Sequence, residues 1–180
     1  RDRDGDDVLA ELTALGIETA GISRSETTTT ASYTAALDPG GELHIGLADM
    51  AIYDEITATG IDTALKELGD ADAWFLDTNP PEFAITHLSY RIPGKTLFAA
   101  DTVSRAKAPR LRPALARLNI LVTNEAEAFS IVDPATPRDR TSEAAAKTLR
   151  AGGIEHVVIG QGADGVLYLD ESTLATHRST

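Results

Sequence analysis

Asn124 and Glu127 are two polar residues three positions apart, directly after the apolar stretch 120–123, which is typical of a buried strand. One role for the pair is structural, because Asn124 is suited to cap a helix and Glu127 to complete a capping box. The other role is chemical, because open parallel sheets bind ligands just outside the carboxyl ends of their strands. The spacing alone leaves both roles open.

Other oxygen-bearing side chains also follow predicted strands. Asp77 and Asn79 come at the end of the apolar stretch 73–77, and Asp101 ends the stretch 96–101. We expect these side chains to line one crevice with Asn124, because the carboxyl ends of parallel strands share one edge of a sheet. Mg²⁺ prefers oxygen ligands and keeps several of its waters, so this crevice is suited to a Mg²⁺-bound nucleotide.

Two glycine-containing segments imitate phosphate-binding loops. Residues 160–165 have the spacing GxGxxG, but a dinucleotide-binding loop opens a helix, whereas residues 166–169 are typical of a strand. The glycines still allow a ligand such as a nucleotide to approach the backbone closely. Residues 93–96 end like a P-loop, yet they lack its first glycine and precede a strand. Neither a Rossmann site nor a P-loop is predicted.

A regular alternation of strands and helices must position these residues. Hydrophobic periodicity predicts strands at 73–77, 96–101, 120–123, 156–159 and 166–170, and helices at 82–90, 108–118, 124–131 and 142–151. This alternation predicts right-handed βαβ units and a mainly parallel sheet. Upstream, the pattern predicts a helix through 8–15, a strand at 17–22, a helical turn at 52–56, a helix at 61–68, and a hairpin of strands 32–38 and 42–49 around Pro39-Gly40-Gly41. Residues 134–137 are expected to form a loop.

Charge and composition exclude several classes of protein. The chain has 16 Lys+Arg against 28 Asp+Glu, a net charge of −12, which argues against nucleic acid and anionic membrane surfaces as partners. It has no cysteine, so disulfides and thiolate metal sites are excluded, and its 4 histidines lack metal-ligand spacing. No apolar run is long enough to span a membrane. We expect a cytoplasmic protein.

The order of these features resembles the PfkB, or ribokinase-like, family of carbohydrate and nucleoside kinases, and within it the pseudouridine kinases. Residues 4–9 and 15–19 resemble the family's charged turn, helix and following segment, and residues 27–50 look like its lid hairpin. Residues 101–107 are similar to an Asp-Pro-Val-Ser-x-x-Lys segment, with Thr102 in place of Pro. Residues 124–127 match the Asn-x-x-Glu motif, and 162–166 are similar to a segment beside the adenine nucleotide.

The resemblance implies a ribokinase-like three-layer α/β/α fold with a mainly parallel sheet and a small β lid hairpin. It implies one partial domain over residues 1–180, with 23–56 as the lid region and 57–180 as the α/β body. The family's Gly-Gly-x-x-x-Asn and Gly-Ala-Gly-Asp segments are absent from these residues. We therefore expect a domain incomplete at both ends, with its general base beyond residue 180, and an isolated piece without activity.

The reaction implied by the resemblance is ATP-dependent phosphoryl transfer to a sugar hydroxyl, most closely the ribose 5′-OH of pseudouridine, with ATP and Mg²⁺ as cofactors. Asn124 and Glu127 would hold the phosphates and the water shell of Mg²⁺, Glu127 contacting the metal through water. Gly162 and Gly165 would bind the nucleotide. The alternatives are a kinase for another sugar or nucleoside, of the ribose, fructose or adenosine type, and an inactive remnant that acts as a binding module.

Three further residues are assigned to the substrate. Thr29 and Tyr33 of the lid would close over the sugar, and Lys107 would face substrate or phosphate, or else solvent. The alternating apolar positions of the hairpin predict one apolar face that a lone hairpin cannot bury, and hence a homodimer through the lid. These positions are Tyr33, Ala35, Leu37, Ile45 and Leu47.

Overall fold

The computed structural model describes residues 1–41, 43–132 and 141–178. Glu42 and the predicted loop 134–137 lie outside these residues. The chain folds as two units, Arg1–Gly69 and Asp70–Thr180. The predicted lid region, 23–56, falls within the first unit. The boundary differs from the predicted one, because residues 57–69 belong to the first unit rather than to the α/β body.

The first unit combines two α-helices with a hairpin. It contains α1 (Arg3–Ala14), β1 (Ser32–Leu37), β2 (Leu43–Asp49), a 3-10 turn (Ala51–Glu55) and α2 (Ala58–Leu68). Asp2 caps α1 by accepting from the Gly5 N–H, and it also accepts from the N–H and hydroxyl of Thr30. These hydrogen bonds, led by that of the Thr30 N–H, lower the pKa of Asp2 to about 2. Asp2 thereby ties the start of α1 to the chain that enters the hairpin.

The predicted strand at 17–22 is wrong. These residues form turns and irregular chain between α1 and the hairpin. Ile17 and Ile22 remain 51% and 43% exposed, so their apolar side chains do not form a buried strand. A short apolar run becomes a strand only when a neighbouring strand pairs with it, which local periodicity does not report.

The hairpin register places apolar side chains on both of its faces. Residues paired across antiparallel strands share a face, and the register groups Tyr33 and Ala35 with Ala48 and Gly46. Ile45 and Leu47 pair with Ala36 and Thr34 and therefore lie on the opposite face. The prediction of one apolar face that joins Tyr33, Ala35, Ile45 and Leu47 is wrong, since cross-strand register cannot be read from alternation within each strand.

The second unit is built on a six-stranded sheet in the order β3-β4-β5-β6-β7-β8. The first four strands are parallel, and β7 and β8 add antiparallel. The strands are β3 (Ala73–Leu76), β4 (Leu97–Asp101), β5 (Ile120–Asn124), β6 (His156–Gly160), β7 (Val166–Leu169) and β8 (Leu174–His177). The helices are α3 (Glu82–Arg91), a 3-10 helix (Ala108–Arg117), α4 (Glu125–Ile131), α5 (Ser142–Ala151) and a 3-10 turn (Gly162–Asp164). The predicted mixed α/β class, with a mainly parallel sheet and a separate hairpin, is confirmed.

The core of the second unit lies between the sheet and its helices. α3, the 3-10 helix, α4 and α5 pack side by side in that order. They contact alternate strand residues such as Phe98, Leu121 and Val157, each at most 1% exposed. The strand residues between them are more accessible, with Phe75 69% and Val122 36% exposed. No helix among the described residues is long and apolar enough to cross a membrane.

The segment Ala108–Arg117 is a 3-10 helix where the periodicity predicts an α-helix. Pro113, inside the segment, lacks the amide proton that an α-helix needs there and clashes with the carbonyl four residues earlier, whereas Pro109 lies in the first turn, where proline is tolerated. Its arginines cap neighbouring helices. Arg112 donates to the carbonyls of Ser130 and Ile131 at the end of α4, and Arg117 donates to those of Ser89 and Ile92 at the end of α3. These are carbonyls that helix ends leave without intrahelical partners.

Two glycines shape the turn between β6 and β7. Gly165 has φ +102°, and a Cβ added there would lie 2.0 Å from the His177 carbonyl oxygen. Gly162 has φ +60°, but an added Cβ would meet nothing within 4 Å. The sheet therefore requires glycine at position 165 for both conformation and space, whereas position 162 requires it for conformation only.

We predict different costs for alanine at these two positions. Gly165→Ala should lower the free energy of unfolding by about 3 kcal/mol or more, because backbone strain is added to a collision with the main chain of β8. Gly162→Ala, the matched control, should cost about 1 kcal/mol from strain alone. Chemical denaturation of the two variants measures both values. Equal losses would contradict the close approach of β8 to Gly165.

Candidate functional site

The carboxyl ends of four parallel strands lie side by side in the second unit. The pairing of β3 with β4, β4 with β5 and β5 with β6 brings Asp77, Asp101 and Asn124 to one edge of the sheet. Asn124 pairs directly with Gly160, so the turn that contains Gly162 leaves the sheet beside it. The side chains expected to lie together, because each one follows a strand, are therefore found at this edge.

Asn124 and Glu127 have separate partners. Asn124 is the N-cap of α4, and its side-chain oxygen accepts a hydrogen bond of 2.9 Å from the Glu127 N–H. The Glu127 carboxylate accepts a hydrogen bond from the hydroxyl of Thr102, on the neighbouring strand end. Glu127 is only 8% exposed. The Asn124 half of the predicted capping box is therefore present, while the carboxylate of Glu127 is held by residues outside its own helix.

Three buried threonines connect the strand ends. They are Thr78 after β3, Thr102 after β4 and Thr123 in β5, with exposed fractions of 0%, 5% and 5%. Thr78 accepts from the Val103 N–H at 3.0 Å, and the hydroxyl oxygens of Thr102 and Thr123 are 2.8 Å apart. We call these residues the threonine row. Sequence reasoning missed its role, because only the alignment of neighbouring strands brings the three residues together.

The proton order in this row follows from the chemistry of hydroxyl groups. A hydroxyl carries one proton, and a bond to a carboxylate is stronger than one to a neutral oxygen. The single proton of Thr102 has two acceptors within reach, the Thr123 hydroxyl oxygen and the Glu127 carboxylate, and the carboxylate takes it. The Thr123 hydroxyl donates to the Asn124 carbonyl oxygen at 3.3 Å.

Negative charge accumulates at this edge. Burial raises the pKa of Asp101, and the charges of Glu127 and Asp77 raise it further, while the nearby Thr102 N–H partly lowers it. Asp77 accepts from the backbone N–H and the side-chain amide of Asn79. The charges of Glu127 and Asp77 therefore act on the protonation of Asp101.

Two basic side chains bind the loop after β3. Lys107 donates to the side-chain oxygen of Asn79 at 2.6 Å. Arg110 donates to the backbone carbonyls of Thr78, Asn79 and Pro80 at 3.1, 2.7 and 3.1 Å. Lys107 is half-buried in this arrangement rather than fully solvated. The two cations hold the Asp77 loop in place.

The predicted lid residues belong to the first unit. Thr29 donates to the Asp49 carboxylate at 3.4 Å, and Tyr33, 57% exposed, lies across Gly46 of the paired strand. A Cβ at Gly46 would come 2.4 Å from the Tyr33 hydroxyl oxygen. Both lid residues therefore have contacts within the hairpin region, and their role over a sugar stays a prediction.

The strand ends carry oxygen atoms of the kind that bind Mg²⁺. Among the residues that the structure describes, no three Asp, Glu or His side chains are arranged to coordinate a metal ion. Mg²⁺ usually binds one or two carboxylates together with phosphate oxygens and retains several waters. Glu127 and Asp101 supply carboxylate oxygens of that kind at the strand ends.

We predict that Asp101→Asn stabilises the chain at neutral pH. A carboxyl pKa raised in the folded state means that ionisation opposes folding, so the cost is present above that pKa and disappears below the unfolded value near pH 3.9. The asparagine keeps an acceptor for the Thr102 N–H. The variant should melt above the parent chain at pH 7, and the difference should shrink to nothing as the pH falls below about 3.9.

The matched control is Asp72→Asn, which removes an exposed carboxylate at the amino end of β3. It changes the net charge equally but lies away from the strand ends. An increase in melting temperature that is the same for both variants, or that persists at low pH, would refute the electrostatic origin of the Asp101 effect.

A family model and sequence relatives match this chain. The model "pfkB family carbohydrate kinase" matches residues 1–179. Pseudouridine kinase of Escherichia coli (strain K12) is 28% identical over 143 residues, which cover 79% of this chain and 45% of that protein. The chain thus spans about half the length of the curated relative that it matches.

Solved structures share the fold. A carbohydrate kinase from Agrobacterium tumefaciens is 29% identical with a TM-score of 0.75, over 94% of this chain and 53% of that one. Anopheles gambiae adenosine kinase in complex with P1,P4-di(adenosine-5) tetraphosphate has a TM-score of 0.83 at 16% identity, over 100% of this chain and 61% of its own, a likeness of fold alone. With the family model matched over nearly every residue, this chain belongs to the pfkB family of carbohydrate kinases.

Proposed function

We propose that the full-length gene product transfers the γ-phosphoryl group of ATP to a hydroxyl of a sugar or nucleoside, most closely the ribose 5′-OH of pseudouridine. The observation that carries the proposal is the family match over residues 1–179. The pseudouridine kinase relative, at 28% identity, supports the choice of acceptor. The segment 101–107 supports it further, since it is similar to a segment of pseudouridine kinases.

Phosphoryl transfer depends on charge neutralisation and positioning more than on covalent catalysis. When bound, Mg²⁺ neutralises charge on the transferring phosphates. Glu127, buried and held by Thr102, would bind the ion through water, and Asn124 would face the phosphates from the start of α4. Gly162 offers open space beside its backbone for the nucleotide, whereas Gly165 is already required by the sheet.

The substrate side involves other residues. Thr29 and Tyr33 would close over the sugar from the hairpin. Lys107 would act by holding the Asn79 side chain and its loop, as its 2.6 Å hydrogen bond suggests, rather than by contacting phosphate. The proton of the acceptor hydroxyl would pass to the base of a Gly-Ala-Gly-Asp segment, which these 180 residues do not contain. We therefore expect no turnover from the 180-residue chain alone.

The test is an assay of the full-length gene product with ATP and Mg²⁺ across a panel of pseudouridine, uridine, adenosine, ribose and fructose. Phosphorylation of pseudouridine at the 5′ position with the highest kcat/KM is expected. A preference for another acceptor would change the proposed substrate but leave the proposed reaction, phosphoryl transfer from ATP, in place. If no acceptor in the panel is phosphorylated, the result would favour a binding module and overturn the proposal.

The same preparation tests two further parts of the proposal. Light scattering at micromolar concentration should report a homodimer joined through the hairpin, whose apolar residues on both faces remain exposed, and a strict monomer would contradict it. We also propose a cytoplasmic location, which cell fractionation would check.

We predict that Glu127→Gln lowers kcat of the full-length enzyme roughly 100-fold, since loss of one preorganised electrostatic partner costs about 3 kcal/mol. The Mg²⁺ concentration for half-maximal rate should rise, because the ion loses a charged partner. The melting temperature should change little, as glutamine can still accept the hydrogen bond of Thr102. Unchanged kcat together with an unchanged Mg²⁺ midpoint would return Glu127 to a purely structural role.

A further inference from the structure

We propose that Thr102 is a positioning residue that fixes the Glu127 carboxylate through its hydroxyl. The inference rests on the proposed function, because Glu127 matters chemically only if it orders Mg²⁺-bound water. Its subject is a residue that the sequence singles out only as a departure, since Thr102 stands where the similar segment of pseudouridine kinases has Pro.

The Thr102 hydroxyl is buried against the Glu127 carboxylate. Thr102 is 5% exposed and Glu127 is 8% exposed, and the Thr102 hydroxyl donates to Oε2 of Glu127. A buried donor of this kind selects one orientation of the carboxylate, because turning away would leave both groups without their hydrogen bond. Glu127 is thereby held by the end of β4 as well as by its own helix.

The Thr102 hydroxyl takes no part in strand pairing. The backbone of Thr102 already pairs with β5, since its N–H donates to the Val122 carbonyl at 3.2 Å. The side-chain hydroxyl is therefore not needed for strand pairing. The Thr123 hydroxyl oxygen, 2.8 Å away, is a weaker acceptor than the carboxylate, so the single proton of Thr102 goes to Glu127.

Glu127 shares this edge with two other carboxylates, Asp101 and Asp77. Glu127 lies close enough to Asp101 for its charge to raise the pKa of that residue, and Asp77 acts in the same direction. Like charges push a carboxylate away from this edge, where the proposed Mg²⁺ would need it. A neutral donor counters that repulsion without adding a cation that would compete with Mg²⁺. A proline at position 102, as in the similar segment, could supply neither the hydroxyl nor an amide proton.

The test compares Thr102→Val with Thr102→Ser in the full-length gene product. Valine keeps the branched shape and removes the donor, whereas serine keeps the donor. For Thr102→Val we expect the Mg²⁺ midpoint to rise roughly 10-fold or more, the usual effect of losing a hydrogen bond that orients a metal-binding group. Thr102→Ser should restore a midpoint close to that of the parent protein.

The matched control is Ser89→Ala. It removes another fully buried hydroxyl, but one that donates to the Thr86 carbonyl within α3. It should lower the melting temperature while leaving the Mg²⁺ midpoint unchanged. An equal midpoint shift in Ser89→Ala would mean that Thr102 acts through general stability, which overturns the inference.

The double variant Thr102→Val/Glu127→Gln protects the test against a misfolded single variant, because no buried carboxylate is left without its donor. If Thr102 acts through Glu127, adding Thr102→Val to Glu127→Gln should move the midpoint less than about two-fold. A further shift as large as that of the single variant would contradict the inference.

Crystal structures of the parent protein and of both Thr102 variants give a readout that does not depend on activity. The carboxylate of Glu127 should leave its position in Thr102→Val and keep it in Thr102→Ser. A parent protein that phosphorylates nothing would defeat the proposed function while the crystal structures still decide the positioning. An active kinase with an unmoved carboxylate and midpoint in Thr102→Val would defeat the positioning alone.

Discussion

The crowding of carboxylates at one partly buried edge of the sheet is the constraint on which the candidate site of the second unit depends. Parallel pairing forces the ends of β3, β4 and β5 together, and with them Asp77, Asp101 and the start of α4. The pKa of Asp101 is raised at this edge, mainly by burial and further by the charges of Glu127 and Asp77. Such an edge persists only if neighbouring groups hold each carboxylate in place.

The 3-10 helix between β4 and β5 supplies much of that hold. Its internal proline, Pro113, disfavours an α-helix, and the resulting segment places Arg110 against the loop that carries Asp77. Arg112 and Arg117 cap the ends of α4 and α3 from the same segment. One basic, proline-containing stretch therefore stabilises two helix ends and holds the loop that carries Asp77, which links packing directly to the site.

The strands and most helices of the second unit could be predicted from the sequence because their signals are local. Apolar runs between polar turns define β3 to β7, and Asn124 marks the start of α4 by its spacing from Glu127. Features that depend on the pairing of strands could not be predicted from the sequence. The exposed strand β8 has no apolar run, and the hairpin register shifts at Ala36 and Leu37, so neither follows from periodicity.

The candidate site shows the same division. Its carboxylates and glycines could be named from their positions after strands, but the partners that orient them could not. The spacing of Asn124 and Glu127 fits both a helix cap and a binding pair, and the structure assigns the cap to Asn124 while Thr102 takes the Glu127 carboxylate. Because a backbone N–H satisfies the cap, the glutamate side chain is released from its own helix. A motif that closes a helix can thus leave its charge available to the sheet edge, where the strand order determines what that charge meets.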